Sequence, residues 1–305
     1  MNSIEIEHVS KSFGSHRAVD DLSLTVPQGS VYGFIGPNGS GKTTTLRMIM
    51  RIYAPDAGSG VIRVLGREDH VAATDDVGYL PEERGLYKKM KVRDVLRFYA
   101  KLKGVRRPDT EIDAWLERLG LSEWATKKVE ALSKGMAQKI QFIATVISKP
   151  ALVILDEPFT GLDPVNAEVL KDAVLDLKGE GATVVFSTHD MSVAERMCDY
   201  VFMIHQGRKV LDGTLDEIQD SFGSNTIRLR TEGDDPLPNN LPGVEKINDY
   251  GRLRELRLAE GADPQAVLAA VMQRAPVRFF ELARPSLHDI FVRIAGPEAT
   301  EANDA

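Results

Sequence analysis

Apolar positions along this chain come in short runs, and the spacing within each run predicts the element. Residues 3–9 and 22–26 alternate with period two, as strands do, and Pro27-Gln28-Gly29 turns the second into Val31-Tyr32-Gly33-Phe34-Ile35. That unbroken run predicts a buried strand, and good helix formers over 44–50 predict a helix after it. Short strands are expected at 61–65 and 77–81, the first opened by the turn cluster 54–60 and the second closed by Pro81. Helical periodicity follows at 91–103, with Val92, Val95, Leu96 and Tyr99 as the buried stripe, and at 109–121, with Ile112, Trp115, Leu116 and Leu119. Ser133 opens a third helix, whose apolar face is Met136, Ile140, Ile143 and Ile147. Continuous apolar runs at 151–155 and 183–188, separated by a helix through residue 178, predict central strands of a parallel sheet.

The pattern changes after residue 220. Residues 225–231, 244–250 and 253–259 alternate like antiparallel strands, Asp263-Pro264 starts a helix to 274, 277–283 reads as a strand, and Ser286 starts a last helix. The fold class predicted is α/β for 1–220 with a separate small α+β domain over 221–296. The apolar helix at 266–272 suits either that domain's core or an interface. Residues 297–305 are small, polar and acidic, so disorder is expected there.

Composition narrows this picture in a few places. A chain of 305 residues can bury two cores, and 43% hydrophobic with 27% charged residues is ordinary for a globular protein. A net charge of −7 argues against a general nucleic-acid binder, so no nucleic-acid partner is expected. The single Cys198 excludes an internal disulfide and a zinc cluster of cysteines. The first residues lack a basic, then apolar, secretory pattern, and no segment has the roughly 20 apolar residues of a membrane span. Any membrane role is therefore expected to come through a partner. Charge is uneven: ten basic residues and one acid between Arg84 and Arg107 give that stretch +9, with Arg93, Arg97 and Lys101 in one helical stripe. Two readings stand, a surface facing anionic lipid and a solvated helix face balanced by acids elsewhere.

The chemistry centres on Gly36-Pro37-Asn38-Gly39-Ser40-Gly41-Lys42-Thr43-Thr44, which fits the phosphate-loop pattern G-x-x-x-x-G-K-[ST] between a strand and a helix. Glycines let backbone N–H groups wrap a phosphate, Lys42 can reach the β- and γ-phosphates, and the Thr43 hydroxyl can ligate Mg²⁺. Asp156-Glu157-Pro158 ends the 151–155 strand, where open α/β sheets bind ligands. There the first acid can hold Mg²⁺ and the second can orient or deprotonate a water. His189 follows the 183–188 strand and can reach the same phosphate, whereas the other five histidines show no such placement. Ser133, as an N-cap, marks either a second anion site or an ordinary capped helix. Phe13 is either a base-stacking aromatic or a core residue.

Taken in order, the phosphate loop, Leu152 to Pro158 (LVILDEP), Gly161-Leu162-Asp163-Pro164 and Ser187-Thr188-His189-Asp190 make the first 220 residues resemble the ATP-binding subunit of an ABC transporter. The resemblance implies a P-loop ABC ATPase core with an antiparallel β subdomain and a helical subdomain. ATP and Mg²⁺ are the implied ligands. Phe13 would stack on adenine, residues 36–44 would hold phosphate, and Thr43 with Asp156 would hold the metal. Glu157 would be the catalytic carboxylate and His189 the switch histidine. Two copies would sandwich ATP head to tail, with Ser133, Gly135 and Asp163 at the contact. A separate transmembrane permease would be the other partner, placing the chain peripherally on the cytoplasmic face of the cell membrane. A soluble relative acting on translation or repair complexes is the alternative.

Two stretches depart from the family pattern. Leu132-Ser133-Lys134-Gly135-Met136 stands where LSGGQ is usual, and Glu82 where glutamine is usual. With Gly85-Leu86-Tyr87 and the ending Pro285-Ser286-Leu287-His288-Asp289-Ile290-Phe291, they resemble a bacterial export subgroup similar to sodium- and drug-exporter ATPases. Glu82 is a further metal candidate in a site already rich in acid, and Lys134 either adds positive charge near a partner's phosphate or points to solvent.

Overall fold

The computed structural model describes residues 1–68, 76–83, 85–223, 226–233, 237, 241–251, 253–259 and 261–296. Arg84, the start of the expected 225–231 strand and the tail 297–305 lie outside them. The chain opens with β1 (Asn2–Phe13), β2 (His16–Pro27), β3 (Val31–Ile35), α1 (Lys42–Ile49), β4 (Val61–Val64) and β5 (Val77–Leu80). Helices α2 (Val92–Leu102), α3 (Asp109–Arg118) and α4 (Lys134–Val146) follow. Then come β6 (Leu152–Leu155), α5 (Pro164–Gly179), β7 (Thr183–Thr188), α6 (Met191–Met197), β8 (Tyr200–His205) and β9 (Arg208–Thr214). The last elements are α7 (Leu215–Ser221), β10 (Thr226–Thr231), β11 (Val244–Asp249), β12 (Arg254–Leu258), α8 (Pro264–Met272), β13 (Val277–Ala283) and α9 (Leu287–Ala295).

The chain divides into two compact units at Leu215 and Asp216. The first holds an antiparallel sheet of order β2-β1-β4 and a sheet of order β5-β6-β7-β3-β8-β9, in which every pairing except β8 with β9 is parallel. One core lies between the two sheets, with Ile4, Ile6, Leu22, Phe34, Ile154 and Phe202 among its buried side chains. A second joins the other face of the large sheet (Val153, Leu155, Phe186) to α2, α3, α4 and α5. Apolar side chains on both faces explain why β6 and β7 read as unbroken apolar runs.

Three expectations change. The first two strands are longer than the clean alternation indicated, because β1 and β2 continue through bulges. Two residues oppose Ser23 near His8, whose left-handed backbone (φ 52°) is matched by Asp21 (φ 50°), and the two side chains bond at 2.9 Å. Phe13 is thus the end of β1 and is 44% exposed, so it is not a core residue. The buried stripe of α2 ends on Ala100, and Tyr99 sits half-buried at its rim. The basic stripe is largely neutralised within the chain. Arg93 pairs with Asp113, and Arg97 donates to Asp109 Oδ1 at 2.7 Å, so α3 supplies the balancing acids and the solvated-face reading describes these two arginines.

The second unit is an antiparallel sheet of order β11-β12-β10-β13 whose Ile227, Leu229, Leu256 and Leu258 pack with Val267 and Val271 of α8. The 266–272 helix therefore turns one stripe into a core, while Met272 remains 62% exposed. The expected division at residue 220 falls inside α7, whose Gln219 donates to the Pro285 carbonyl at 3.1 Å and whose Asp220 pairs with Arg284 at 3.2 Å.

Candidate active site

Parallel strands place their C-terminal ends on one edge of the sheet, and three neighbours there carry the candidate chemistry. The phosphate loop follows β3, Asp156-Glu157 follows β6 and His189 follows β7, which lies between those two. The loop's path requires glycine. A Cβ on Gly36 would lie 2.2 Å from the Ile204 carbonyl oxygen, and one on Gly41 (φ 111°) 2.5 Å from that of Ala18. Residues 38–44 line a pocket of about 370 Å³ together with Phe13, His16, Ala18, Glu82 and Glu157. Gly36 and Pro37 lie behind it, and their carbonyls accept from Lys42 Nζ at 2.7 and 3.1 Å. The same ammonium is 3.9 Å from Glu157 Oε1, and its burial pulls its pKa below the usual lysine value.

Asp156 is fully buried at the end of β6. Its Oδ1 accepts from Ser187 Oγ at 2.6 Å and Thr43 Oγ1 at 3.1 Å, and its buried Oδ2 has no hydrogen-bond partner among the described residues. Burial, more than any other cause, raises the pKa of this carboxyl. A buried carboxylate oxygen left open beside a threonine hydroxyl fits a small hard cation such as Mg²⁺. Glu157 has a left-handed backbone (φ 48°), which a non-glycine residue adopts at a cost, and its N–H donates to Ser187 Oγ at 2.8 Å. Its carboxylate takes the Thr160 hydroxyl at 3.0 Å and lies 3.1 Å from His189 Nδ1 through both oxygens. Glu82 is exposed at the pocket rim, and its carboxyl is raised by burial and then by the charges of Asp156 and Glu157.

Ser133, Gly135 and Asp163 do not line this pocket. Ser133 caps α4 by accepting from Met136 N at 3.2 Å, and Asp163 caps α5 by accepting from Asn166 N at 3.1 Å. The two helix starts touch each other: the Cβ position of Gly135 is 3.1 Å from Leu162, and that of Gly161 is 3.0 Å from the Lys134 side chain. Lys134 therefore lies along its own chain's 159–163 turn, and its place next to Ser133 leaves it exposed.

Sequence reasoning gave no role to His16, Thr160 or Ser187. His16 reaches the pocket because it is the register partner of Phe13 across the Gly14-Ser15 turn, a pairing the turn dipeptide could have signalled. Ser187 bonds both acids from the neighbouring strand, and only strand order reveals that.

Fold and site together define a P-loop nucleoside triphosphatase. Comparison with known proteins narrows the class. The family model described as ABC transporter matches residues 19–160, and the one described as ATP-binding protein DrrA1-3-like, C-terminal domain, matches 213–295. The Bacillus subtilis uncharacterized ABC transporter ATP-binding protein YhaQ is 43% identical over 96% of this chain and 98% of its own. Nod factor export ATP-binding protein I of Paraburkholderia xenovorans is 36% identical over 97% of each chain. A solved ATP-binding subunit of an ABC transporter superposes with a TM-score of 0.67 at 30% identity, covering 72% of this chain and 93% of that one. The chain belongs to the ABC transporter ATP-binding protein family, and it is an ATP-hydrolysing transporter subunit.

Proposed function

We propose that this chain hydrolyses ATP at the 36–44 loop to power export through a separate membrane-spanning subunit, on the cytoplasmic face of the membrane. Among the described residues no helix is long and apolar enough to cross a membrane, so this reading assigns the pathway to a partner. The export direction rests on the relatives named for Nod factor export.

The observation that carries the reading is Glu157, paired with His189 at 3.1 Å and with its Oε1 3.9 Å from the phosphate-loop lysine. Backbone N–H groups of 38–44 and the start of α1 receive the phosphates, and Lys42 exchanges its two loop carbonyls for phosphate oxygens. Glu157 orients and accepts a proton from the attacking water, with His189 and Thr160 fixing its carboxylate. Thr43 and Asp156, with Glu82 at the rim, would hold Mg²⁺, which when bound neutralises charge on the phosphates. Phe13 offers its exposed ring to the base. Ser133, Gly135 and Asp163 face a second copy in a head-to-tail dimer. The exposure of Ser133, Lys134 and Asp163 beside Val165, an apolar residue 74% exposed, supports that contact.

Glu157→Gln tests the assignment. The variant is expected to bind ATP, to lose turnover by about a hundredfold or more, and to accumulate as an ATP-dependent dimer in size-exclusion chromatography. Near-normal turnover would remove Glu157 from its role.

A further inference from the structure

Phe13 stands at the tip of a hairpin, 44% exposed, and something must hold its ring in place if a base is to stack on it. The structure supplies a chain of contacts that ends far from the hairpin. Tyr53 meets Phe13 edge-on, with ring centroids 5.3 Å apart and planes at 74°. The Tyr53 hydroxyl accepts from Arg47 Nη1 at 3.3 Å, and the Arg47 guanidinium lies 5.9 Å from the Tyr53 ring centroid. Arg47 Nη2 in turn donates to both oxygens of Glu83, at 2.7 and 2.8 Å. Glu83 is the neighbour of Glu82 in the loop behind β5, and its carbonyl accepts from Gln141 Nε2 of α4 at 3.3 Å. The backbone supports the same path, since Tyr53 N donates to the Arg47 carbonyl at 3.2 Å.

We propose that Arg47, Tyr53 and Glu83 are positioning residues that tie the ring of Phe13 to the loop carrying Glu82, so that base binding and the position of that loop are coupled. This deepens the proposed ATP site and rests on Phe13 as its base-stacking residue. Each link is a short-range, orientation-dependent contact. An edge-to-face aromatic pair constrains ring angle, and the charge-assisted bond from Arg47 Nη2 to both Glu83 oxygens holds the guanidinium at short range. Lys11 steadies the outer side of Phe13, with Nζ 5.4 Å from its centroid and bonded to the Ala54 carbonyl at 2.7 Å. Arg47 is the member through which hairpin and loop communicate, because its guanidinium bonds both Tyr53 and Glu83. The consequence is specific: losing one of these contacts costs more for a nucleotide with a base than for a bare phosphate chain, which meets only the Glu82 loop.

The test compares dissociation constants for ATP and for inorganic triphosphate, each with Mg²⁺, in the full-length chain. Arg47→Met, Tyr53→Ala and Glu83→Gln are each expected to weaken ATP binding by about three- to tenfold and triphosphate binding by clearly less. Tyr53→Phe, which keeps the ring and loses only the hydroxyl, is expected to show a smaller loss than Tyr53→Ala. In a Phe13→Ala background the Arg47→Met and Glu83→Gln effects on ATP should vanish, since there is no ring left to position. Equal losses for ATP and triphosphate, or effects that persist undiminished without Phe13, would overturn the coupling. If Phe13→Ala alone leaves ATP affinity unchanged, the base-stacking assignment itself fails, and the positioning proposal falls with it.

Discussion

Ser187 shows how much one hydroxyl can organise in this site. Its oxygen donates to Asp156 and accepts the N–H of Glu157, so a single side chain fixes both acids and satisfies a backbone donor at a strained φ of 48°. Ser187→Ala leaves that buried N–H without its partner, which costs about 1–3 kcal/mol and lowers Tm by several degrees in a thermal melt. ATP turnover is expected to fall as well, because Glu157 loses its anchor. Glu82 works in the opposite sense. Its carboxyl is pushed above the ordinary value, so the folded chain binds more protons than the unfolded one in the window between the two values, and ionisation through that window lowers stability. Glu82→Gln is expected to raise Tm at pH 7.5 in the nucleotide-free protein. The gain should shrink as the pH approaches the ordinary glutamate pKa of about 4.3. A pH-independent gain would mean that charge is not its cause.

At the scale of elements, two arginines of the basic stripe meet acids of a neighbouring helix. Helix α2 carries Arg93 and Arg97, and α3 answers with Asp113 and Asp109, so the pairs act as a seam between two helices that also share Val95, Leu96, Ile112 and Leu116 in their core. Partly exposed pairs of this kind are weakened by solvent screening and stabilise only modestly. Arg93→Glu with Arg97→Glu is therefore expected to lower the urea midpoint, and adding Asp109→Arg with Asp113→Arg should restore most of the loss. If the fourfold exchange stays as unstable as the double reversal, the pairs do not stabilise the seam. A similar local device starts α9, where Ser286 and Asp289 satisfy each other's backbone N–H in a capping box. Ser286→Ala is expected to cost about 1 kcal/mol in denaturant unfolding.

At the scale of the molecule the chain is two units, each with its own core. The phosphate loop, the acid pair and His189 all belong to the first, Met1–Leu215. A chain ending at Leu215 keeps both cores of that unit and is expected to fold cooperatively and bind ATP with unchanged affinity, measured by calorimetry. Loss of ATP binding on truncation would show that the second unit contributes to the nucleotide site.

The sequence alone determined the parts that depend on neighbours along the chain. Unbroken apolar runs marked β3, β6 and β7, helical spacing marked α2 to α4, and a short pattern marked 36–44 as the candidate phosphate loop, because periodicity and short motifs are local properties. It also located Asp156, Glu157 and His189, since each ends a recognisable strand. Only the tertiary structure decided which of these ends meet. The order β6-β7-β3 sets Ser187 between the acids and the loop, although 187 and 43 are remote in sequence. Exposure was likewise undecidable from residue type: a phenylalanine is more often a core residue, yet Phe13 ends β1 at the hairpin tip beside His16. The charge run at 84–107 left two readings open for the same reason. Net charge counts residues along one segment, whereas electrostatic energy depends on what lies across from them, and for Arg93 and Arg97 that is a helix whose acids come later in the chain.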